Sequence, residues 1–413
     1  MNNGIRILVL TRWVPYPPIG GAPLRNWQNI DIFTQLGSVA VFSIADPNNC
    51  ASKEGFPGIS LWQNCVRSGI ASQRSFAQKV LWWLTPSRHP LVDLYYQSEN
   101  SVKLESFLLK FQPELIIVEE LWLYPYLSTI KKTVTCPVVL DQHNIEANLL
   151  IQNRVNSGSL SSWLRETIQD QKLKFIENDF IHKADQVWVC SQADADLLAE
   201  MYGTCHHVRV VPNGIDQHFY RPVYEKKHPP SPALADNPHT IFFAGTFSYP
   251  PNQNAARMLI EQIFPRLQER YADARLLLVG KSPTAEMLEV SHQNKAIIVT
   301  GRVEDIRSYM AAASVAVVPL LQGGGTRLKV LEAFASGIPV VTTTKGIEGI
   351  DAKDNHHTLI RDSIEGIVEA IDSLWSDEVR AKTLAEAAIA LLQRKFSREV
   401  IGRQIKNHVN HLI

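Results

Sequence analysis

Three consecutive glycines, Gly323–Gly325, stand directly before Thr326 and Arg327, and Lys329 and Glu332 follow shortly after. Glycines let backbone N–H groups come close to a ligand. A helix that begins here adds partial positive charge. With two cations beside it, such a loop suits a diphosphate. The alternative is a tight turn with solvated cations, in which Glu332 is an exposed residue paired with Lys329.

The segments on either side of the loop predict the elements that position it. "VAVVPL" before the loop indicates a buried strand, and "TRLKVLEAFASG" after it indicates a helix. We expect Thr326 to be the N-cap and Gly337 to end the helix before Pro339. The loop would then lie where a strand ends and a helix begins.

Short, almost continuously apolar runs recur along the whole chain, as expected of strands buried on both faces of a parallel sheet. They are "IRILVL", "VAVFSI", "ELIIVE", "PVVLDQH", "QVWVCS", "VRVVPNG", "TIFFAG", "RLLLVG", "AIIVTG", "VAVVPL" and "PVVTTT". Segments with helical spacing, such as "NAARMLIEQIFPRLQERYA", lie between many of them. This alternation predicts a doubly wound α/β fold that binds ligands at the loops after its strands.

The length of 413 residues is too great for one ordinary core, and "RPVYEKKHPPSPALADNPHT" interrupts the hydrophobic pattern with prolines and charges. We therefore expect a first domain over residues 1–222, a linker over 223–238 and a second domain over 239–394. Residues 395–413 indicate a helix that could pack back on the first domain.

The composition argues against several classes of protein. The chain has 41 basic and 41 acidic side chains, a balance that gives no support to nucleic-acid binding. Its five cysteines lack C-x-x-C spacing and indicate free thiols. The apolar amino-terminal run is too short for a signal peptide, and no stretch is long enough to span a bilayer. We expect a cytoplasmic protein; peripheral contact with the inner face of a membrane stays open without a supporting feature.

From about Val210 to Gly349 the chain resembles the family 4 glycosyltransferases, retaining enzymes of the GT-B fold. The matching segments are "VPNGID" (211–216), "FAGTFSYPPNQNA" (243–255), "VGK" (279–281), "VTGRVEDIRSYMAAASVAVVPL" (299–320), the glycine loop with its helix, and "GIEGI" (346–350). Their order and spacing are specific, although no one motif is decisive. The first half resembles the family more weakly, through "GGAPLR" (20–25) and "DQHNIEAN" (141–148).

The resemblance implies a GT-B architecture, in which two Rossmann-like doubly wound parallel-sheet domains face a central cleft. It implies transfer of a sugar from a UDP- or GDP-type donor, held mainly by the second domain, to a hydroxyl acceptor held mainly by the first. The acceptor would be a glycan, a glycolipid or a small molecule. No cofactor and no metal are expected, since the nucleotide sugar is a substrate. Two alternatives stay open: a GT-B sugar-nucleotide epimerase, for which no acid/base carboxylate pair is recognisable, and a non-catalytic nucleotide-sugar-binding protein.

The resemblance also assigns roles in the second half. Glu332 matches the glutamate that binds the ribose hydroxyls, and a carboxylate can accept both neighbouring O–H groups. Arg302 and Val303 lie in the segment whose backbone groups recognise the base. Gly245 and Thr246 match the loop that faces the donor phosphates.

In the first half, His143 matches a strand-end histidine that contacts the transferred sugar, the alternative being a structural histidine. We include it with Arg327 and Lys329 among the catalytic candidates. Gly20 and Gly21 match the loop that closes over the donor, the alternative being a plain strand–helix turn.

Two departures from the family pattern concern the donor site. The usual second glutamate, eight positions before Glu332, is replaced by Gly324, and "TFSYPPN" lacks the Arg and Lys that many members place after Gly245. We infer that Arg327 and Lys329 supply the charge for the diphosphate and that backbone N–H groups of the loop orient the sugar. Because no nucleophilic carboxylate is recognisable beside the loop, a front-face route is expected.

Two other signals have a structural interpretation. Asp194 and Asp196 form a D-x-D pair, a spacing that can hold a metal. They open a predicted helix, where acidic residues are favoured by the dipole, and we interpret them as helix-start residues. The aromatic segment "EELWLYPYL" (119–127) indicates packing under a loop, with a place in an acceptor site as the alternative.

Overall fold

The computed structural model describes residues 4–18, 21–46, 56–67, 76–152, 159–232, 234 and 237–413, with the backbone alone at 76–79 and 160. The chain divides into two compact units. The first comprises Met1–Pro212 and Gly402–Ile413, and the second comprises Asn213–Ile401.

The second unit thus begins ten residues before the expected linker, and residues 213–238 belong to it. These residues belong to the second unit because the apolar side chains of Ile215, Tyr220 and Val223 are buried in its core. Prolines and charges in this stretch therefore mark a surface segment of a domain and not the junction itself.

The first unit contains a seven-stranded sheet with the strand order β3-β2-β1-β4-β5-β6-β7. Every neighbouring pair is parallel. The strands are β1 (Ile5–Thr11), β2 (Gly37–Ala45), β3 (Leu61–Val66), β4 (Leu115–Glu119), β5 (Val138–Gln142), β6 (Gln186–Val189) and β7 (Val208–Val210). All five residues of β4 and of β5 are buried, as expected of strands covered on both faces.

The helices of the first unit connect these parallel strands. They are α1 (Gly21–Thr34), α2 (Phe76–Leu84), α3 (Pro90–Asp93), α4 (Ser98–Phe111), a 3₁₀ helix (Leu121–Tyr126), α5 (Leu127–Thr133), α6 (Glu146–Gln152), α7 (Leu160–Lys183) and α8 (Gln192–Tyr202).

The second unit repeats the same architecture with six parallel strands in the order β10-β9-β8-β11-β12-β13. The strands are β8 (Thr240–Ala244), β9 (Arg275–Val279), β10 (Ile297–Val299), β11 (Val315–Val318), β12 (Val340–Thr342) and β13 (Leu359–Ile360). Its helices are α9 (Gln217–Tyr224), α10 (Pro250–Met258), a π-helix (Leu259–Ile263), α11 (Phe264–Gln268), α12 (Ala285–Gln293), α13 (Arg307–Met310), α14 (Leu328–Ala335), α15 (Ile364–Ser376) and α16 (Glu378–Lys395).

The last helix, α17 (Arg398–Asn410), begins in the second unit, and its residues from Gly402 onward group with the first.

The doubly wound α/β prediction is confirmed, and all eleven predicted runs form strands. Two strands were missed. In β3, "LWQNCV", polar residues interrupt the apolar run, and β13 is only two residues long. Cys65, Cys136, Cys190 and Cys205 are free thiols, and Cys50 lies outside the described residues. Among the helices of the described segments, none has the length and apolar character that crossing a bilayer requires.

Candidate functional site

Each sheet reverses its strand order once, between β1 and β4 in the first unit and between β8 and β11 in the second. Loops that leave two such strands diverge, which opens a crevice at the carboxyl ends where doubly wound proteins bind ligands. Gly245 and Thr246 follow β8, and the glycine loop Gly323–Gly325 follows β11. The two predicted phosphate-facing segments therefore lie at the switch point of the second sheet.

The glycine loop has two residues in the left-handed region: φ is 116° at Gly323 and 70° at Gly325, whereas Gly324 has no positive φ. Space is also short at Gly323. A Cβ there would lie 3.3 Å from both an Arg327 nitrogen and the Tyr249 hydroxyl. The need for a residue that tolerates positive φ therefore falls on Gly323 and Gly325 and not on Gly324.

Helix α14 begins at Leu328, and its N-cap is Arg327 instead of the predicted Thr326. Arg327 has the non-helical backbone angles φ −80° and ψ 84°, so the helix cannot include it. Thr326 is buried, and its carbonyl accepts a 3.0 Å hydrogen bond from the Leu328 N–H. The predicted helix end is confirmed: Gly337, with φ 70°, follows the last turn and donates to the Phe334 carbonyl at 3.1 Å.

Arg327 is buried, with 7% of its side chain exposed, and it donates to backbone carbonyls. Its guanidinium bonds the carbonyl of Gly323 at 2.9 Å, that of Gly324, and that of Lys345 at 3.4 Å. It also lies 3.6 Å from the carboxylate of Glu348 in the "GIEGI" segment. Arg327 therefore fixes the shape of the glycine loop and holds a positive charge against it.

Lys329 is half-buried, and its ammonium donates to the Asn252 side-chain oxygen at 2.7 Å. It also lies 4.3 Å from the centroid of the Phe243 ring, a cation–π distance. Burial and, secondly, the charge of Arg327 lower the pKa of Lys329 to about 7. A group with this pKa is poised to gain a proton when an anion arrives.

Asn252 joins this lysine to the loop after β8. Its amide nitrogen donates to the Thr246 carbonyl at 2.9 Å while its oxygen accepts from Lys329. A Cβ at Gly245 would come within 2.9 Å of the Asn252 amide, so a larger residue at this position would displace the Asn252 side chain. Lys329 thus places a positive charge beside the loop after β8, whose own sequence, "TFSYPPN", contains no Arg or Lys.

Glu332 is half-buried and accepts a 3.0 Å hydrogen bond from the hydroxyl of Tyr220, a residue of α9. Burial raises the pKa of Glu332, against the opposing effects of the Tyr220 hydrogen bond and the Lys329 charge. The carboxylate is therefore held in a fixed position and is not an exposed helix residue.

The predicted base-recognition segment follows β10. Gly301 has φ 69° and its carbonyl accepts from the Gly280 N–H at 3.2 Å. Arg302 is exposed and Val303 is half-buried against the core. These contacts fix the turn that follows β10.

In the first unit, His143 follows β5 and is buried, with 8% of its side chain exposed. Its Nε2 lies 2.9 Å from a carboxylate oxygen of Glu119, the last residue of β4. Burial lowers the pKa of His143 and raises that of Glu119 to about 7. Both shifts favour uncharged forms, so the pair shares a proton in a buried place.

Arg25 of "GGAPLR" forms a buried, bidentate ion pair with Asp141 of "DQHNIEAN", at 3.0 and 2.5 Å. It also donates to the Val211 carbonyl at 2.9 Å. Gly21 begins α1, and Gly20 lies outside the described residues. The two motif segments of the first half therefore meet through this ion pair.

Glu119, Asp141 and His143 place ligand atoms within 4.8 Å of one another, close enough to hold a metal ion. Arg25 already donates to both oxygens of Asp141, so a cation would have to displace a guanidinium there.

The two signals that had a structural interpretation behave as expected. Ser191 caps α8 by accepting from the Asp194 N–H at 3.1 Å, which supports the helix-start interpretation of the D-x-D pair. Five of the nine residues of the aromatic segment are buried in the first core: Leu121, Trp122, Leu123, Tyr126 and Leu127.

The two sheets follow the same strand order, and in each sheet loops gather at the switch point. The chain has the GT-B fold, which it shares with several solved structures. It is similar to sucrose-phosphate synthase from Thermosynechococcus elongatus, with 17% identity, 99% of both chains covered and a TM-score of 0.73. It is similar to Anabaena HepE in complex with UDP-glucose, with 16% identity, 99% of this chain and 100% of that chain covered and a TM-score of 0.69. It is also similar to the lipopolysaccharide outer core galactosyltransferase WaaB, with 14% identity, 99% of this chain and 100% of that chain covered and a TM-score of 0.60.

The sequence itself gives the family. Residues 238–377 match the model of the glycosyl transferases group 1, and residues 72–219 match that of glycosyltransferase family 4, together more than half of the chain. The chain belongs to the family 4-like, group 1 glycosyltransferases, and the predicted resemblance is confirmed. None of the curated proteins matches the chain in sequence.

Several residues of the site had no role assigned from sequence. Asn252 and Arg25 stood inside quoted motifs, and Glu119 opened the aromatic segment, but their partners are 77, 116 and 24 residues away. Tyr220 lies just outside the "VPNGID" motif and bonds Glu332 across 112 residues. Only the fold brings these partners together.

Proposed function

We propose that this glycosyltransferase retains anomeric configuration and moves a sugar from a nucleotide diphosphate sugar to a hydroxyl acceptor in glycan, polysaccharide or glycolipid assembly. The observation that supports this best is the start of α14. Within six residues Arg327, Lys329 and Glu332 follow the glycine loop at the switch point of the second sheet.

Each of these groups suits one part of a nucleotide sugar. The N–H groups of the loop and the ammonium of Lys329 would bind the diphosphate, and Arg327 would hold the loop in place beside it. The Glu332 carboxylate, fixed by Tyr220, would accept the two ribose hydroxyls. The turn at Arg302 and Val303 would meet the base.

Transfer would follow a front-face route. The bond between the anomeric carbon and the phosphate oxygen breaks, and the acceptor oxygen forms its bond on the same face of the sugar. The departing phosphate oxygen takes the acceptor's proton, so no protein base is consumed. Negative charge grows on the diphosphate in the transition state, where the loop, Arg327 and Lys329 stabilise it.

The donor is tested first by thermal-shift and calorimetric screening of UDP-, GDP- and ADP-sugars. UDP is the first probe, because HepE was solved with UDP-glucose. We expect one nucleotide series to bind and stabilise the protein. Failure of all three series to bind would contradict the proposal.

Glu332→Gln tests the ribose contact. A lost hydrogen bond to a charged group costs about 1.5–3 kcal/mol, so UDP affinity should fall by roughly ten- to a hundredfold. Tyr220→Phe is the control, since it leaves the carboxylate and removes only its support, and it should have the smaller effect. Unchanged affinity in Glu332→Gln would remove this residue from the site.

A sugar-nucleotide epimerase is the second candidate, and one observation favours it. Burial raises the pKa of Glu119 to about 7, of Asp141 to about 6 and of Glu146 to about 8. These carboxyls would supply the acid/base groups of an epimerase, for which no pair was recognisable in the sequence. Incubation of the bound sugar nucleotide followed by NMR separates the candidates: an epimer indicates the second, slow hydrolysis and transfer the first, and neither a binding protein.

A further inference from the structure

Helix α7 presents a row of apolar side chains to solvent. Leu164, Ile168 and Phe175 are each between 43% and 48% exposed, and their spacing of four and seven residues places them along one side of the helix. The opposite side is buried in the first core through Leu173 and Phe180. A helix that covers a core needs only one apolar side, so the folding of this unit does not explain the exposed row.

Helix α2 lies beside this row and exposes further apolar side chains. Lys172 of α7 donates to the Trp82 carbonyl of α2 at 2.9 Å, and its ammonium lies 4.8 Å from the centroid of the Trp82 ring. On either side of Trp82 in the sequence, Leu81 and Leu84 are 67% and 74% exposed. Such a concentration of exposed apolar side chains is typical of an interaction surface. We call Leu81, Leu84, Trp163, Leu164, Ile168 and Phe175 the α2–α7 face.

Positive charge borders the α2–α7 face. At about 100° per residue, Arg165 and Lys174 lie about 80–100° from the apolar row, one on each side of it. Arg165 is exposed and Lys174 is partly exposed, and neither has an ion-pair partner among the residues that the structure describes. The sequence around both helices has the same sign: residues 68–92 contain three Arg or Lys and no Asp or Glu, and residues 147–165 contain two and none. The face therefore suits a partner that is apolar inside and negatively charged outside.

A lipid bilayer with anionic headgroups has both properties. Leucine, isoleucine and phenylalanine side chains of a surface helix reach the boundary between headgroups and acyl chains, and tryptophan is enriched at that depth. Arginine and lysine beside them attract the anionic headgroups. A second copy of the chain matches the charge less well, because a two-fold interface would bring the same unpaired cations together.

We propose that the α2–α7 face binds the surface of an anionic lipid bilayer, with its apolar side chains at the headgroup boundary and with Arg165 and Lys174 among the headgroups. The first unit would thereby be held at a membrane. This binding needs neither donor nor acceptor, so the inference goes beyond the proposed function, and its failure would leave that function untouched.

Co-sedimentation of the full chain with vesicles tests the proposal. Wild type should bind vesicles made of equal parts of phosphatidylcholine and phosphatidylglycerol, and it should bind pure phosphatidylcholine about tenfold more weakly, because only the anionic surface attracts the cations. Added salt should weaken the binding, since it screens this attraction. Wild type that binds neither kind of vesicle, or both equally well, would overturn the inference.

Paired substitutions in α7 locate the binding surface. Leu164→Gln with Phe175→Gln should lower the partition coefficient onto anionic vesicles about tenfold or more, because two exposed apolar side chains no longer enter the bilayer. Arg165→Gln with Lys174→Gln should lower it about fivefold for each charge removed. Glutamine is a good helix former, so both variants should keep α7 intact.

Helix α4 supplies a matched control in the same unit. Val102 and Leu109 are exposed apolar residues, like those of α7, but Glu99 and Glu105 lie on the same helix. Val102→Gln with Leu109→Gln should therefore bind vesicles like wild type. An equal loss of binding in the α4 and α7 variants, both folded, would show adsorption without a defined surface and would overturn the inference.

Light scattering after size-exclusion chromatography separates the bilayer from a second copy as the occupant. The oligomeric state should be the same in wild type and in Leu164→Gln with Phe175→Gln. A wild-type dimer that this variant dissociates, with vesicle binding unchanged, would assign the face to a second copy and overturn the proposal.

Fluorescence quenching gives a readout that does not require binding to be lost. Phosphatidylglycerol with brominated acyl chains quenches tryptophans that enter the bilayer. Trp163→Phe keeps an apolar side chain at the face and should still bind these vesicles, but part of the wild-type quenching should disappear. Unchanged quenching in vesicle-bound Trp163→Phe would place this end of α7 outside the bilayer and contradict the proposal.

Discussion

Lys329 should take up a proton when the diphosphate binds. In the free protein burial and the Arg327 charge lower its pKa to about 7, so about half of the molecules carry the charge at pH 7. A bound diphosphate favours the ammonium and raises this pKa. Binding therefore strengthens as the pH falls through 7 and weakens as it rises.

The size of the effect follows from the free-state pKa. If Lys329 is fully charged in the complex, proton uptake per UDP bound is about 0.1 at pH 6, 0.5 at pH 7 and 0.9 at pH 8. The lysine then contributes about a tenfold loss of UDP affinity between pH 6 and pH 8.

Isothermal titration of UDP in two buffers of different ionisation enthalpy measures this uptake. Because the terminal phosphate of UDP titrates itself, near about pH 6, the quantity compared is wild type minus Lys329→Arg. Arginine keeps its charge over this range, so the variant shows only the phosphate contribution. Equal proton uptake by the two proteins at pH 7 and pH 8 would refute the reasoning.

Three further predictions concern the loop and the metal requirement. Arg327→Ala should lower kcat by about 10²–10³-fold in initial-rate assays, because it removes a preorganised charge together with the support of the loop; a near-wild-type rate in a folded variant would exclude that role. Gly323→Ala should weaken UDP binding in calorimetry far more than Gly324→Ala, since Gly323 has a positive φ and Gly324 does not; equal losses would contradict this. Transfer should survive EDTA, as Arg327 and Lys329 supply the positive charge; loss of activity restored by magnesium or manganese would show a metal requirement.

The strands of both sheets could be predicted because a strand buried on both faces leaves a local, continuous apolar signature. Strand β3 was not predicted, because Gln63 and Asn64 interrupt its apolar run. The boundary between the units was placed too late, because the apolar residues at 215, 220 and 223 are too widely spaced to indicate a core. Local sequence patterns identify helices and strands well, but they do not show in which domain each element packs.

The part of the candidate site that could be predicted is the part whose residues are close together in the sequence. Gly323, Arg327, Lys329 and Glu332 lie within ten residues of one another and follow one strand, so spacing alone placed them together. The details were not predictable, because they depend on distant partners. Glu120, the residue after β4, has φ 73° and ψ 152°, and no local sequence pattern signals this conformation.

The most direct test of retaining transfer at the glycine loop is the anomeric configuration of the sugar that the enzyme first releases when it slowly hydrolyses its donor. Early ¹H NMR spectra, taken before mutarotation, should show the same anomer as the nucleotide sugar, and Lys329→Ala should release it more slowly. Release of the opposite anomer would contradict the retaining, front-face account.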